Sequence, residues 1–138
     1  MKNEATIDGV VVGGQPDAAD VHSGRYACVI NCRPDGEEGN VTAELVEGRD
    51  IVYASVPFTG DTLAASHIDE IRGILEGVTG TALIHCYGGT RAAVAAAIIS
   101  AERAGKGAQA VFEAIQAAGY DVRNRPYEAF IRQYFARR

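Results

Sequence analysis

Around residue 86 the chain reads Thr81-Ala-Leu-Ile-His-Cys-Tyr-Gly-Gly-Thr-Arg91, placing a thiol, two glycines and a guanidinium within six residues. Ala82 to Ile84 is an apolar run of strand length, and Ala92 to Ile99 is rich in good helix formers. A strand therefore meets a helix through Cys86 to Thr90. Two glycines in such a bend let successive backbone amides turn inward as a concave anion site, and the helix adds its positive N-terminal end. Arg91 contributes a planar fork able to hold two oxygens of one anion. Oriented amides, a helix N-terminus and a neighbouring guanidinium all favour the thiolate over an ordinary pKa of about 8.5, so Cys86, placed at the rim of this bowl, is expected to be largely ionised. A thiolate beneath a bound anion is a nucleophile for phosphoryl or sulfur transfer.

The elements that must position this loop follow from the rest of the chain. Thr6 to Val12 alternates around Asp8-Gly9 and predicts a hairpin or edge strand, and Gly13-Gly14-Gln15-Pro16 breaks the pattern. Asp17 caps a short helix through Val21, ended by Gly24. Tyr26 to Asn31 reads as a strand buried on both faces, and Arg33-Pro34-Asp35-Gly36 as a turn. Thr42 is the expected N-cap of a helix over Ala43 to Glu47. Ile51 to Val56 is the next strand. Leu63, His67, Ile71, Ile74 or Leu75 and Val78 then recur at helical spacing. Beyond the cysteine loop, helices are expected over Ala108 to Ala118 and from Pro126 through Phe135. Strands alternating with helices imply a three-layer α/β fold with a mostly parallel central sheet, and ligands of such sheets bind outside the carboxyl ends of the strands. Cys86, Arg33 and Asp61 all fall at those ends.

These motifs resemble the protein tyrosine phosphatase superfamily, whose signature is His-Cys, five residues, Arg, then Ser or Thr. Here only four residues separate Cys86 from Arg91, and Ala92 follows. Three stretches are more similar to the bacterial phosphatase-like domain named after beta-lactamase hydrolase-like proteins: Gly14-Gln15-Pro16, Ile30-Asn31-Cys32-Arg33-Pro34-Asp35-Gly36-Glu37, and Cys86 to Arg91, with Val56-Pro57 between them. The resemblance covers most of residues 6 to 104. It implies a dual-specificity-phosphatase-like fold and a hydrolase forming a phosphocysteine on Cys86. Tyr87, Gly88, Gly89, Thr90 and Arg91 would then bind the anion, Arg33 and Asp35 would line the rim, and Asp61 would be the general acid. With Ala92 in place of the usual hydroxyl, Thr90 is the remaining hydroxyl beside Arg91. The short loop also resembles that of rhodanese-type sulfurtransferases, where a tighter ring suits a persulfide or compact sulfur anion. A non-catalytic anion-binding module is the third reading.

Several residues have plainer roles available. Asp61 or Thr62 could cap the following helix, Arg33 and Asp35 could pair across their turn, and Tyr87 could fill the loop or stack on an aromatic substrate. His85, on a strand, should face away from the pocket and orient the loop by hydrogen bonding. Cys28 and Cys32 read as core residues, with a redox role for Cys32 as the lesser reading, and His22 and His67 show no partner.

At 138 residues the chain is expected to form a single domain, residues 1 to 138, burying about two thirds of its unfolded surface. Three cysteines match neither a disulfide framework nor a zinc pattern, and neither metal nor cofactor is expected. A net charge of −5 argues against nucleic-acid binding. Without a membrane-length apolar run or a leader pattern, a cytoplasmic location is expected. Acidic residues between Asp35 and Asp50 and arginines at 123, 125, 132, 137 and 138 read as solvated faces.

Overall fold

The computed structural model describes residues 1–123 and 125–137; Arg138 of the C-terminal arginine cluster lies outside them. Ala5–Ile7 (β1) and Val10–Gly13 (β2) form an antiparallel hairpin. Its turn residues Asp8 and Gly9 have φ of 50° and 81°, the doubly left-handed turn that Asp-Gly favours because its twist matches the strands it joins. Ala18–Val21 (α1) follows, capped by Asp17, whose carboxylate accepts from the Asp20 amide while Asp20 returns the bond. Cys28–Asn31 (β3), Thr42–Val46 (α2), Val52–Ser55 (β4), Ala65–Glu76 (α3), Ala82–His85 (β5), Thr90–Arg103 (α4), Ala108–Ala117 (α5) and Pro126–Ala136 (α6) complete the chain.

The strands make one sheet in the order β1-β2-β5-β3-β4, parallel throughout except for the β1–β2 pair. β5 is central, so all four of its residues are buried, whereas β4 at the edge leaves Val52 and Ser55 exposed. Side chains alternate between two apolar layers. Val11, Val29 and Leu83 face Val21 of α1 and Val46 of α2. Val12, Cys28, Ile30, Ala82 and Ile84 face the helices α3 to α6. This is the expected three-layer arrangement. Helix α4 runs through the middle of the second layer with nine buried residues, which is why its sequence is almost uniformly apolar rather than striped. Arg72 of α3 ties the layer together by reaching Glu102 of α4 and, at 2.8 Å, Tyr134 of α6. Among the described residues no helix is long and apolar enough to cross a membrane.

Two caps differ from expectation. Thr42 is the first residue of α2, not its cap; Val41 precedes it without a side-chain bond, because the Thr42 hydroxyl turns inward to buried partners. Neither Asp61 nor Thr62 caps α3. Ala64 holds that position, and its amide donates to His67 Nδ1 at 3.0 Å, leaving the Thr62 hydroxyl to close the preceding turn on the Thr59 amide.

Candidate active site

The carboxyl ends of β2, β3, β4 and β5 converge on one edge of the sheet. The loop there begins at Cys86, whose amide donates to Gly13 O at 3.2 Å, and closes at Gly89, the N-cap of α4. Gly89 has φ of 104°, a conformation that side-chain-bearing residues avoid, and the Tyr120 phenol fills the space a Cβ would need. The Gly89 amide points at Cys86 Sγ from 3.1 Å. The amides of Tyr87, Gly88, Thr90 and Arg91 donate to no acceptor among the described residues, as expected for a bend feeding a helix N-terminus. At 1% exposure, Cys86 lies at the floor of this ring and not at its rim. Tyr87 is 59% exposed and marks the rim instead.

Arg91 opens α4 with its guanidinium held in a defined plane. Nη1 donates to Glu37 Oε2 at 2.8 Å and to Phe58 O at 3.2 Å, and Nη2 donates to Glu37 Oε1 at 3.1 Å. Of the five N–H groups, three are thus taken. The Nε–H and the outer Nη2–H, which are parallel and lie along one edge, have no acceptor among the described residues; together they match two oxygens of a tetrahedral anion.

Behind the loop runs an unbroken hydrogen-bond chain. Arg33, 2% exposed, donates from Nε to Glu37 at 2.9 Å, from Nη1 to Gln15 Oε1 at 2.7 Å, and from Nη2 to Glu38 O. Gln15 Nε2 donates to Thr42 Oγ1 at 2.8 Å, so the single Thr42 proton is free to go to His85 Nε2 at 2.9 Å. His85 must then be the neutral tautomer protonated at Nδ1, which donates to Cys86 O at 3.2 Å. Burial agrees, pushing the His85 pKa down to about 4, with Arg33 and Arg91 acting the same way. Glu37 is held below the usual carboxylate range, first by its hydrogen bonds from Arg91.

The profile of the family described as "Beta-lactamase hydrolase-like protein, phosphatase-like domain" matches residues 7–105. The chain belongs to that family. A beta-lactamase hydrolase-like protein of Agrobacterium fabrum is 32% identical over 100 residues, covering 67% of this chain and 23% of the relative. Its counterpart in Xylella fastidiosa strain Temecula1 is 33% identical over 91 residues, covering 60% and 21% respectively. The chain therefore spans less than a quarter of the length of the curated relatives it matches. Among solved structures, TpbA of P. aeruginosa superposes with a TM-score of 0.74 at 19% identity, covering 96% of this chain and 84% of that one. The core catalytic domain of the PP-IP phosphatase SIW14 from S. cerevisiae also gives 0.74, at 14% identity, covering 94% and 83%. The fold of this phosphatase-like domain is thus the protein tyrosine phosphatase-like one.

Within the phosphatase-like domain, Cys86, Tyr87, Gly88, Gly89, Thr90 and Arg91 form one loop, as their spacing requires. Asp61 is exposed on the segment after Phe58, and its amide donates to Thr59 Oγ1 at 3.3 Å. Arg33 is turned inward, with donors on all three nitrogens committed to Glu37, Gln15 and Glu38. Cys28 and Cys32 are buried free thiols, and burial drives the Cys32 thiol well above its ordinary range. His22 Nε2 sits 2.9 Å from Leu45 O, and His67 stacks on Phe58 with centroids 5.4 Å apart. Sequence reasoning passed over Glu37, Gln15, Tyr120 and Tyr127 as site residues. Tyr127 packs against Gly60 and lies within the electrostatic reach of Arg91, Cys86 and Asp61; burial raises its pKa. Tyr120, pushed up to about 12 by burial and the nearby Cys86, donates to Asn3 O while Asn3 Nδ2 donates to Gly88 O at 2.8 Å. Both tyrosines lie far along the chain from the cysteine, and nothing in their local sequence pattern marks them.

Proposed function

We propose that the domain is a cysteine-dependent phosphatase acting on phosphate monoesters. The observation that carries this reading is the open Nε/Nη2 edge of Arg91 in the same short loop as Cys86, where Sγ receives the Gly89 amide and the amides of Tyr87, Gly88, Thr90 and Arg91 have no acceptor among the described residues. A phosphoryl group seated there would have its equatorial oxygens on the amides and Arg91, with phosphorus facing the sulfur. Cys86 Sγ attacks as the thiolate, an S–P bond forms, the ester P–O bond breaks, and Asp61 gives its proton to the departing oxygen. Water then attacks phosphorus while Asp61 takes a proton from it, the S–P bond breaks, and inorganic phosphate departs from the regenerated Cys86 thiolate. Glu37 is unsuited to the acid role, since both its oxygens are occupied by guanidinium donors. No metal or cofactor enters this scheme, and the partner is a phosphorylated small molecule or side chain rather than a nucleic acid or a membrane.

A second reading is sulfur transfer through a Cys86 persulfide, favoured by the four-residue spacing, while the buried Ala92 directly after Arg91, with no hydroxyl, favours an anion-binding module without turnover. Assay of an aryl phosphate with and without vanadate, alongside mass spectrometry after thiosulfate treatment, separates the two. Vanadate-sensitive hydrolysis lost in Cys86→Ser supports the phosphatase. One added sulfur on Cys86 with no hydrolysis supports sulfur transfer, and anion binding with neither outcome leaves a binding module.

A further inference from the structure

Among the described residues, Glu37 is the carboxylate that receives Arg91. It sits on the irregular segment between β3 and α2, where no element fixes its side chain, yet it receives three guanidinium hydrogen bonds from two arginines. Oε1 is shared between Arg33 Nε at 2.9 Å and Arg91 Nη2 at 3.1 Å, and Oε2 takes Arg91 Nη1 at 2.8 Å. A long side chain such as that of Arg91 has several rotamers available, and the start of α4 fixes only its backbone. What selects the orientation with Nε and the outer Nη2–H left open is the carboxylate on the opposite edge, assisted by Phe58 O. The carboxylate in turn is held by Arg33, itself clamped by Gln15 and the Glu38 carbonyl.

We propose that Glu37 is the positioning residue of the anion site, presenting the open edge of Arg91, and that Arg33 acts only through Glu37 without touching the ligand. This rests on the reading of the loop as an oxyanion site. Charge fits the assignment. Glu37 offsets one of the two guanidinium charges, so one positive charge remains for the ligand. Replacing it with Gln turns an NH₂ group toward guanidinium donors, and two donors facing each other cannot bond.

Calorimetric binding of inorganic phosphate and vanadate to the whole chain, with kcat and KM for an aryl phosphate, tests the proposal. Glu37→Gln should weaken phosphate binding by about tenfold or more, the loss of a well-oriented charge-assisted pair, and should raise KM in parallel. Glu37→Asp, which keeps the charge, should recover part of the affinity. Arg33→Lys should weaken binding alone but add little in the Glu37→Gln background, because both act through one carboxylate. Phosphate affinity unchanged in Glu37→Gln, or an Arg33→Lys effect that adds in full, overturns the proposal. If the wild-type chain binds no oxyanion, the phosphatase reading fails by itself. Nitrogen-detected spectra of the Arg91 guanidinium then decide: hindered rotation in wild type and free averaging in Glu37→Gln uphold the positioning role, and identical spectra overturn it.

Discussion

His85 gives the sharpest test of the hydrogen-bond chain behind the loop. Its ring is fully buried, accepts at Nε2 from Thr42, donates at Nδ1 to Cys86 O, and has its pKa lowered from the usual 6.5 to about 4. The unfolded chain therefore binds a proton that the folded one refuses. Stability from this residue is full above the unfolded value, falls as pH drops through it, and levels off below the folded value. Between about pH 7 and about pH 5 the loss comes to ~2 kcal/mol, an appreciable part of the 5 to 15 kcal/mol of roughly typical domains. Urea denaturation across that interval reads it directly. His85→Asn keeps a donor near the Cys86 carbonyl but has no proton to gain, so its midpoint should vary less with pH although the variant is less stable throughout. A wild-type midpoint that stays flat, or an equally steep fall in His85→Asn, would refute a neutral buried imidazole and with it the proton assignment of the chain.

Arg91→Lys keeps the charge but removes the paired donors, and turnover of an aryl phosphate should fall on the order of 10²- to 10³-fold with little change in melting temperature. Gly89→Ala meets both a left-handed backbone and the Tyr120 phenol, so it should lose ~2 kcal/mol or more in denaturant titrations. Adding Tyr120→Ala should restore only the steric part of that loss, and full restoration would show that the backbone conformation is not costly. Ala92→Ser places a hydroxyl directly after Arg91, and release of phosphate from the phosphocysteine should quicken by about fivefold, the effect of a hydrogen bond worth ~1 kcal/mol. Stopped-flow burst measurements compare the two steps, and an unchanged release rate would exclude a missing hydroxyl as the slow point.

Much of the frame was legible because it is local. Asp8-Gly9 specified its hairpin, Asp17 its cap, and Pro126 the first turn of α6, each through backbone chemistry that acts within a few residues. The Cys86 to Arg91 loop was equally local, since a strand, two glycines and a helix start leave the chain few paths. The cap of α2 went wrong for the opposite reason. A threonine before a helix favours the cap only while its hydroxyl has no better partner, and here Gln15 and His85, 27 and 43 residues away, supply two.

The same division separates the nucleophile from what surrounds it. Residue order alone determined that a cysteine, an arginine and a helix N-terminus would share one bend, because covalent connection holds them within a few ångströms whatever the rest of the chain does. Only the folded sheet decided that Arg33 would be buried and turned onto Glu37, that Glu37 would grip Arg91, and that Tyr120 would close on the loop and Tyr127 on Gly60 from the far end of the chain. Those contacts join strand ends and helices remote in sequence, and their geometry follows from sheet order and helix packing, which no local pattern encodes.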